Sequence, residues 1–421
     1  MLQSMRIWGG ERLKGEVSIS GAKNLALPAL AAGLLTEDDV ILKNVPNLAD
    51  VQSMGNLLSH IGTDISIAGS AYSMSTKDIR VFEAPYDFVR KMRASILVLG
   101  PLVGRFGKAR VSLPGGCAIG ARGVDLHIRS LEHLGANVSV DNGYINADAP
   151  NGLHGGDIIF PTVTVTGTEN IMAAACFAKG TTRLINAAIE PEVVAFADLL
   201  SKMGANISDS GTPIITIEGV ERLHGCEFTI IPDRIEAGTY AIAAAITGGD
   251  ITIRGGEYDH ISALLNFLRM ADISVEVSQD GIRVSRDKDV PIKGVDVQTA
   301  PYPGLATDLQ AQFMALMTLC QGSSSITENI FENRFMHVQE LCRMGANITV
   351  HGKTAIITGV SKLTGANVMA TDLRASVSLV LAGLAAGGET VVNRLYHLDR
   401  GYENLDQKLT NCGAIIERII I

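Results

Sequence analysis

The sequence predicts an α/β fold of six similar units, with helices inside and sheets outside, and three observations support this prediction. A short phrase that ends a helix recurs along the 421 residues at intervals of 67 to 74. Each unit also contains an alanine-rich segment that is apolar nearly all round, and β-rich segments lie between these segments. Such a period identifies a repeat architecture. The helix-ending phrases are centred on Gly62, Gly135, Gly204, Ala271, Gly345 and Gly413.

Each unit is expected to begin with the alanine-rich segment, such as ENIMAAACFAKG at 169–180. A helix without a polar face belongs in the interior. A strand and a loop follow, and then an amphipathic helix such as VVAFADLLSKMG at 193–204. The final glycine is a natural C-cap, and a second strand begins after it. The predicted order is therefore buried helix, strand, loop, amphipathic helix, strand.

Six such units are too many for one hydrophobic core, so we expect two domains of three units each. Counted from Lys23, three units end near Ile231, and IIPDR at 230–234 is the expected linker. The segment 3–20 is expected to complete the C-terminal group. The predicted domains are residues 1–21 plus 233–421 and residues 22–232, so the chain crosses between them twice.

The composition excludes several classes of protein. The net charge is −9 and no basic cluster stands out, which disfavours a nucleic-acid partner. No uncharged apolar run reaches about 18 residues, so no membrane span is expected. The nine histidines lack ligand spacing and the six cysteines form no CxxC pair, so we expect no metal, no disulfide framework and no cofactor. No signal-like apolar stretch is visible near the N-terminus, which favours the cytoplasm; the oligomeric state stays open, with a monomer favoured.

The stretch LPGGCAIGARGVDLH, residues 113–127, departs most from the pattern of the repeat. Its sister loops contain LKNVPN and LINAAIEP, whereas this loop places Cys117 among glycines and Arg122 five residues later. A nearby cation favours the thiolate, which is the reactive form of cysteine. We therefore predict a reactive thiol in a loop that approaches a ligand; the alternative is a surface turn with an incidental cysteine.

Polar residues recur at the predicted N-termini of the buried helices. Since helix N-termini attract anions, basic residues there suggest an anionic ligand. Asp308 is either a general base among arginines or a helix-end acid, and Arg334 and Arg400 lie in sister loops that are either functional or ion-paired. The N-terminal residues are Lys23, Asn24, Arg93, Glu169, Asn170, Arg234, Asp308 and Arg374. The alternative to a ligand is pairing with the acids Glu190, Glu192, Asp233, Glu236, Asp308 and Asp372.

Taken in order, these residues form motifs that resemble the UDP-N-acetylglucosamine 1-carboxyvinyltransferases of the EPSP synthase superfamily. The resemblance covers the whole chain and implies the inside-out α/β barrel, with two domains of three repeats, in agreement with the periodicity. The motifs are GAKN (21–24), MRAS (92–95), LPGGCAIGAR with VDLH (113–127), EPE (190–192), PDRIEAGTY (232–240), ATDLQAQF (306–313), FENRFMHV (331–338), DLRAS (372–376) and DRGYEN (399–404).

The resemblance implies transfer of the enolpyruvyl group of phosphoenolpyruvate to the 3′-hydroxyl of UDP-N-acetylglucosamine, with release of phosphate. This is the first committed step of peptidoglycan synthesis. At the matching positions, Cys117 would donate a proton to C3 and could form a covalent adduct with phosphoenolpyruvate. Lys23, Arg122 and Arg400 would hold the anionic groups of that substrate. Asp308 would be the base for the 3′-hydroxyl.

Further substrate-binding residues are implied in the same way. Asn24 and Ile330, with Asp308, would contact the sugar nucleotide, and Arg93 would border the site. The stretch from Arg122 through Gly123, Val124, Asp125 and Leu126 would cover the uracil and ribose, and Arg334 and Arg374 complete the set. The chain departs from the family pattern at Gly123, where proline is frequent. It also departs at 161–170, where Thr162, Thr164 and Val165 replace the expected lysine and serine, so Thr164 and Val165 are the candidate diphosphate contacts.

The motifs bear on two alternative functions. The sister 3-phosphoshikimate 1-carboxyvinyltransferases share the barrel and phosphoenolpyruvate but lack the cysteine loop. A non-catalytic regulator that binds a sugar nucleotide should have lost Cys117, Lys23 or Asp308, and this chain has all three.

Overall fold

The computed structural model describes residues 3–114 and 123–420, and these residues divide into two compact units. Unit 1 contains the described residues through Ser20 and those from Pro232 onward. Unit 2 contains those from Gly21 to Ile231. The domain limits expected from the sequence lie one residue later at each crossing, and the assignment of domains stays a prediction.

Helices account for the interior of both units. In the described part of the chain, the 3₁₀ segments Gly33–Leu35, Arg93–Val98, Thr307–Leu309 and Leu395–Arg400 accompany the α-helices. Within residues 3–114 and 123–420 the α-helices are α1 Lys23–Ala32, α2 Ala49–Ile61, α3 Tyr86–Val89, α4 Leu99–Phe106, α5 Asp125–His133, α6 Val165–Ala175, α7 Pro191–Lys202, α8 Arg234–Thr247, α9 Tyr258–Met270, α10 Gln310–Met317, α11 Val338–Arg343, α12 Leu373–Ala385 and α13 Leu405–Asn411.

Short strands make up the rest of the regular structure. In the same described ranges they are β1 Gln3–Trp8, β2 Lys14–Ser18, β3 Val40–Lys43, β4 Asp64–Ala68, β5 Ala71–Ser75, β6 Glu83–Ala84, β7 Lys108–Ser112, β8 Asn137–Asp141, β9 Tyr144–Asp148, β10 Asp157–Ile159, β11 Thr181–Ile185, β12 Asn206–Ser208, β13 Ile214–Glu218, β14 Glu227–Thr229, β15 Asp250–Arg254, β16 Ser274–Ser278, β17 Gly281–Ser285, β18 Ile292–Lys293, β19 Val297–Gln298, β20 Cys320–Gln321, β21 Ser323–Thr327, β22 Asn347–His351, β23 Thr354–Thr358, β24 Asn367–Met369, β25 Glu389–Asn393 and β26 Ile415–Ile420.

The three sheets of unit 2 share one plan. Their strand orders are β14-β3-β5-β4, β6-β7-β9-β8 and β10-β11-β13-β12. In each, the strand that follows the buried helix pairs in parallel with a strand of two or three residues and antiparallel with one strand of a hairpin. This common plan is the structural form of the repeat.

Unit 1 repeats this plan with β16-β17-β15-β2, β19-β21-β23-β22 and β24-β25-β1-β26, and a short pair β18-β20 extends it. In the last of these sheets β1 lies between β25 and β26 and is antiparallel to both. Strand β2 pairs in parallel with β15, as Val17 opposite Ile253 shows. The first strands of the chain are therefore built into the sheets of unit 1.

The predicted order of elements within a unit was wrong because it omitted two strands. One is the second strand of each hairpin. Strands β8 and β9 are joined by Asn142 and Gly143, with φ of 50° and 79°, and Asn-Gly is a strong signal for a two-residue hairpin turn. The other is the short parallel strand, such as Glu83–Ala84, whose two or three residues are too few to show a period.

The prediction of buried helices is confirmed. In α8 every residue from Ile235 to Thr247 is buried, and α1 is buried except at Asn24. Glu169 and Asn170 were wrongly expected at a helix N-terminus, because α6 begins at Val165 and both residues lie in its second turn. Each unit has its own hydrophobic core, which its central helices and the inner faces of its sheets form.

Candidate functional site

Asp308 is at the centre of a compact charged cluster in unit 1. It lies in the 3₁₀ turn Thr307–Leu309 that leads into α10. One carboxylate oxygen accepts a hydrogen bond of 2.6 Å from Nη2 of Arg334, and the other accepts one of 2.7 Å from Nη2 of Arg374. The structure thus brings together three of the residues predicted from the sequence.

The two arginines decide the charge state of Asp308. Burial acts to raise the pKa of the carboxyl, but the charges and hydrogen bonds of Arg374 and Arg334 outweigh it, so the pKa lies well below its usual range. Burial lowers the pKa of Arg374, and its pairing with Asp308 more than compensates, so that pKa is raised. A quarter of the Asp308 side chain is exposed, against 6% and 5% for the two arginines. The carboxylate is therefore ionised, fixed and reachable from solvent.

Basic residues at the starts of α8 and α12 follow capping aspartates. Asp372 accepts hydrogen bonds from the backbone N–H groups of Arg374 and Ala375, at 2.8 and 3.0 Å. Asp233 does the same for Ile235 and Glu236 before α8. An N-cap aspartate satisfies free N–H groups and offsets the unfavourable position of a cation in the first turn.

Lys23 begins α1 in unit 2 and is almost fully buried, with 8% exposure. Its ammonium lies 2.5 Å from a carboxylate oxygen of Asp50, in the first turn of α2. The acids expected as partners of the basic residues did not include Asp50. The pairing holds Lys23 where the chain enters unit 2, and Asn24 follows it on the one partly exposed position of the helix.

The 3₁₀ segment Arg93–Val98 and the start of α5 are connected by buried polar contacts of Asn170. The amide of Asn170 accepts from the backbone N–H of Gly100 at 2.7 Å and donates to the carbonyl of Ile96 at 3.2 Å. It also lies 2.9 Å from Nδ1 of His127. Burial lowers the pKa of His127 to about 4, with a further lowering from Arg93, so the imidazole is neutral at physiological pH. The 3₁₀ segment that begins at Arg93 is thereby held against α5.

The remaining predicted residues of unit 2 lie at helix starts. Asp125 and Leu126 open α5, directly after Val124 and Gly123. A Cβ atom at Gly123 would come within 2.3 Å of a carboxylate oxygen of Asp125, so a larger residue there requires this side chain to move.

The candidate diphosphate contacts lie at the start of α6. Thr164 is the N-cap, and its hydroxyl accepts from the N–H of Gly167 at 3.2 Å. Val165 is the first helical residue and, like Thr164, is partly exposed.

The loop regions of unit 1 hold the other predicted residues. Ile330 follows β21, and its N–H donates to a carboxylate oxygen of Glu328 at 2.8 Å. Arg400 is the last residue of the 3₁₀ segment Leu395–Arg400. Its neighbour Asp399 accepts two hydrogen bonds from Arg418 on β26, at 3.2 and 2.9 Å, which fixes this turn to the sheet.

Cys117 and Arg122 lie outside the described residues. Among the described ones, the predicted site residues divide between the units: Lys23, Asn24, Arg93, the 123–126 stretch, Thr164 and Val165 in unit 2, and Asp308, Ile330, Arg334, Arg374 and Arg400 in unit 1. No group of three or more His, Cys, Asp or Glu side chains suited to a metal ion occurs within residues 3–114 and 123–420. None of the helices in those ranges is long and apolar enough to cross a membrane.

Comparisons with known proteins point to one family. The profile of EPSP synthase (3-phosphoshikimate 1-carboxyvinyltransferase) matches residues 7–409. Two UDP-N-acetylglucosamine 1-carboxyvinyltransferases are each 57% identical: the one from Rhodospirillum centenum over 99% of both chains, and the one from Acidiphilium cryptum over 99% of this chain and all of the other.

Solved structures agree at the level of the fold. The enolpyruvyl transferase NikO from Streptomyces tendae superposes over 99% of each chain, with a TM-score of 0.89 and 25% identity. An EPSP synthase from Acinetobacter baumannii superposes over the full length of both chains, with a TM-score of 0.76 and 16% identity. The fold is therefore the inside-out α/β barrel that the sequence predicts.

Proposed function

The chain belongs to the EPSP synthase family and, within it, to the UDP-N-acetylglucosamine 1-carboxyvinyltransferases, and on that basis we propose how its residues divide the reaction between them. The enzyme transfers the enolpyruvyl group of phosphoenolpyruvate to the 3′-hydroxyl of UDP-N-acetylglucosamine and releases inorganic phosphate. This reaction is the first committed step of peptidoglycan biosynthesis. It needs a proton acceptor at the sugar hydroxyl, a proton donor at C3 of phosphoenolpyruvate, and cations for a phosphate and a carboxylate.

One observation of the structure carries the assignment of the acceptor: Asp308 is held between Arg334 and Arg374 and is still partly exposed. Each carboxylate oxygen has two lone pairs, so each can accept a further hydrogen bond besides that of its arginine. The 3′-hydroxyl donates one, and Asp308 takes the proton as the C–O bond to C2 of phosphoenolpyruvate forms. In the elimination, the thiolate of Cys117 takes a proton back from C3 as the C2–O bond to phosphate breaks, and the leaving phosphate takes the proton of Asp308, whose pKa is held low.

Cys117 is the proposed donor to C3, and its thiol can also attack phosphoenolpyruvate to give a covalent adduct. Lys23, Arg122 and Arg400 balance the charges of the phosphate and carboxylate, as a multiply anionic substrate requires. The buried ion pair of Lys23 with Asp50 supports this role, because it fixes the ammonium before substrate binds. Arg93 borders the same site.

The sugar nucleotide is proposed to contact Asn24, Ile330 and Asp308 through the sugar. Residues Arg122, Gly123, Val124, Asp125 and Leu126 cover its uracil and ribose, and Thr164 and Val165 lie near its diphosphate. The N-terminal end of α6 suits an anion, although the Thr164 hydroxyl already accepts from the N–H of Gly167, and this position supports the last of these contacts. A cytoplasmic location and a monomeric enzyme complete the proposal.

Phosphate release with each acceptor sugar tests this function. We expect release from phosphoenolpyruvate with UDP-N-acetylglucosamine and none above background with shikimate 3-phosphate. The reverse preference would identify the sister enzyme, and no release with either acceptor would favour the non-catalytic regulator.

Substitutions of Cys117 test its role separately. An unperturbed thiol has a pKa of about 8.5, whereas a serine hydroxyl is a far weaker acid, so Cys117→Ser should nearly abolish turnover. Cys117→Asp should retain some activity, with a lower pH optimum and resistance to iodoacetamide. Normal turnover of Cys117→Ser would remove Cys117 from the mechanism.

A further inference from the structure

Glu328 is a buried carboxylate with 3% exposure in the loop that follows β21, and the mechanism above does not use it. Its Oε1 accepts hydrogen bonds from the Thr299 hydroxyl at 2.9 Å and from the backbone N–H groups of Ile330 and Phe331 at 2.8 and 3.2 Å. Its Oε2 accepts from the Thr307 hydroxyl at 2.8 Å. The four donors stabilise this buried carboxylate, because burying a charge without such partners costs free energy.

The hydroxyl of Thr307 links Glu328 to the candidate base. A threonine hydroxyl has one proton, and a guanidinium can only donate. Nη1 of Arg334 donates to the Thr307 oxygen at 3.0 Å, so the Thr307 proton must point to Glu328. Nη2 of the same Arg334 holds Asp308. Arg334 therefore donates both to Asp308 and to Thr307, and Thr307 donates to Glu328, so an unbroken chain of hydrogen bonds connects Asp308 with Glu328.

Arg334 depends on this arrangement for its orientation. Its Nε is buried and has no hydrogen-bond partner among the described residues. Its guanidinium donates to Thr307 and Asp308, and its central carbon lies 5.2 Å from the centre of the Phe331 ring. The ring belongs to the loop that Glu328 also fixes through the Phe331 N–H. Loss of Glu328 would loosen Arg334 on both sides.

We propose that Glu328 is a positioning residue of the sugar-nucleotide site, which orients Asp308 through Thr307 and Arg334 and fixes Ile330 through its backbone N–H. The proposal rests on the proposed function, in which Asp308 and Ile330 contact the sugar nucleotide. Glu328 itself touches no substrate, because it is enclosed by its own donors. Glu328 thus fixes the positions of both the base and a binding loop. Small displacements of such groups lower the reaction rate strongly.

Glu328→Gln is the direct test, because glutamine has the same shape but a single acceptor oxygen. That oxygen should serve the three donors at the Oε1 position, and the amide N–H₂ would then face Thr307. The Thr307 proton would be turned away from Glu328 and toward Arg334, which breaks the link to Asp308. The loss of a hydrogen bond to a charged group predicts a fall of about 10- to 100-fold in kcat/KM for UDP-N-acetylglucosamine. The KM for phosphoenolpyruvate should change by less than about twofold.

The pH profile gives a readout that a merely structural residue would not move. Activity should fall at low pH as Asp308 becomes protonated. When Arg334 is held less firmly, the pKa of Asp308 rises. The acidic limb, which is the decrease of kcat at low pH, should therefore begin at a higher pH in Glu328→Gln. The charged groups that lower the pKa of Asp308 are Arg334 and Arg374. Of these two, only Arg334 is held less firmly in Glu328→Gln.

A second pair of variants keeps the test valid if Glu328→Gln fails to fold. Thr307→Val removes only the hydroxyl at nearly constant volume, and it should reproduce the shift of the acidic limb. Thr307→Ser keeps the hydroxyl and should restore the native limb. Glu340→Gln is the matched control, since Glu340 is also a carboxylate that accepts from a backbone N–H, that of Met369 at 3.0 Å, but outside this network.

The outcomes separate two kinds of failure. If the native chain does not convert UDP-N-acetylglucosamine and phosphoenolpyruvate, the proposed function is wrong and this proposal falls with it. If the native chain is active while folded Glu328→Gln and Thr307→Val match Glu340→Gln in kcat/KM and in the acidic limb, only the positioning role is overturned.

Discussion

Two carboxylates, one in each unit, have opposite chemical states. Asp308 in unit 1 faces Arg334 and Arg374, and its pKa lies well below the usual range. Glu169, in the second turn of α6 in unit 2, is 1% exposed and faces Glu192 and Glu190. Burial and these two acids raise its pKa well above 4.5, and its Oε1 has no hydrogen-bond partner among the described residues.

The comparison shows that burial does not by itself decide the charge of these two acids. Burial alone favours the neutral form of both groups, and nearby charges then reinforce or reverse that preference. The arginines keep Asp308 ionised, as an acceptor for a sugar hydroxyl must be. The acids around Glu169 favour its protonated form, so it is suited to a structural rather than an anion-dependent role.

The largest expected effect comes from removing one of the two cations. Arg374→Met leaves the carboxylate of Asp308 with a single partner and also removes the stacking of Arg374 over Tyr402, at 5.6 Å. Breaking a buried pair in this way costs about 3–5 kcal/mol. Urea unfolding should show this loss, together with a raised pKa of Asp308 in the pH–rate profile. Arg254→Met, which breaks an exposed pair with Glu16, is the control and should leave unfolding nearly unchanged. Equal effects of the two variants would contradict the comparison.

Asp308→Asn removes the charge and keeps the shape. Without the base, turnover should fall by at least about 100-fold, while calorimetry should still detect weakened binding of UDP-N-acetylglucosamine. The sign of the stability change is fixed by linkage. Since the folded-state pKa is lowered, native Asp308 contributes stability that is present above its unfolded value of 3.8 and is lost as pH falls through the folded pKa. The stability gap between the native protein and the variant should therefore narrow in acid. Near-normal turnover would reduce Asp308 to a helix-end acid.

Glu169→Gln should have the opposite pH dependence. An acid with a raised folded-state pKa loses stability as pH rises from its unfolded value, 4.5, toward the folded pKa. The variant avoids this loss. The free energy of unfolding of the variant, relative to that of the native protein, should therefore increase by up to about 1.4 kcal/mol per pH unit in that range. Urea unfolding at pH 5 and 6 measures this difference. A gap that does not change with pH would show that Glu169 is ionised in the folded protein.

The smallest effect concerns the N-cap of the same helix. Thr164→Ala removes the acceptor for the Gly167 N–H and should cost about 1 kcal/mol of stability, while Thr164→Ser should keep most of it. The KM for UDP-N-acetylglucosamine separates capping from a diphosphate contact: we expect it to rise in Thr164→Ala and to stay near native in Thr164→Ser. If KM is unchanged in both, Thr164 is a cap alone.

The period near 70 residues and the apolar helices were readable from the sequence, because both are properties of local composition and spacing. The partners of the charged residues were not. Lys23 was expected near acids such as Glu190, but the structure pairs it with Asp50 and groups Glu190 and Glu192 with Glu169. Such pairings depend on how helices from different repeats meet, which no local pattern encodes.

Glu328 illustrates the same limit. In the sequence it is one acid in TENIFENRF, two residues before Ile330, and nothing distinguishes it from Glu332. Its role emerges only when four donors from three chain segments converge on its carboxylate. The motif FENRFMHV at 331–338 was recognisable, whereas the role of the acid three residues before it required coordinates.

The position of β1 between β25 and β26 bears on how the chain folds as it leaves the ribosome. The first strand finds both its partners only after residues 389–420 have been made, whereas unit 2 has all its described residues once Ile231 has emerged. At about 5–20 residues per second, the interval between these two events is roughly 10–40 s. We therefore expect unit 2 to fold during translation while β1 is still unpaired. Met5 and Ile7, which are fully buried in the folded protein, would be accessible to a chaperone at that stage.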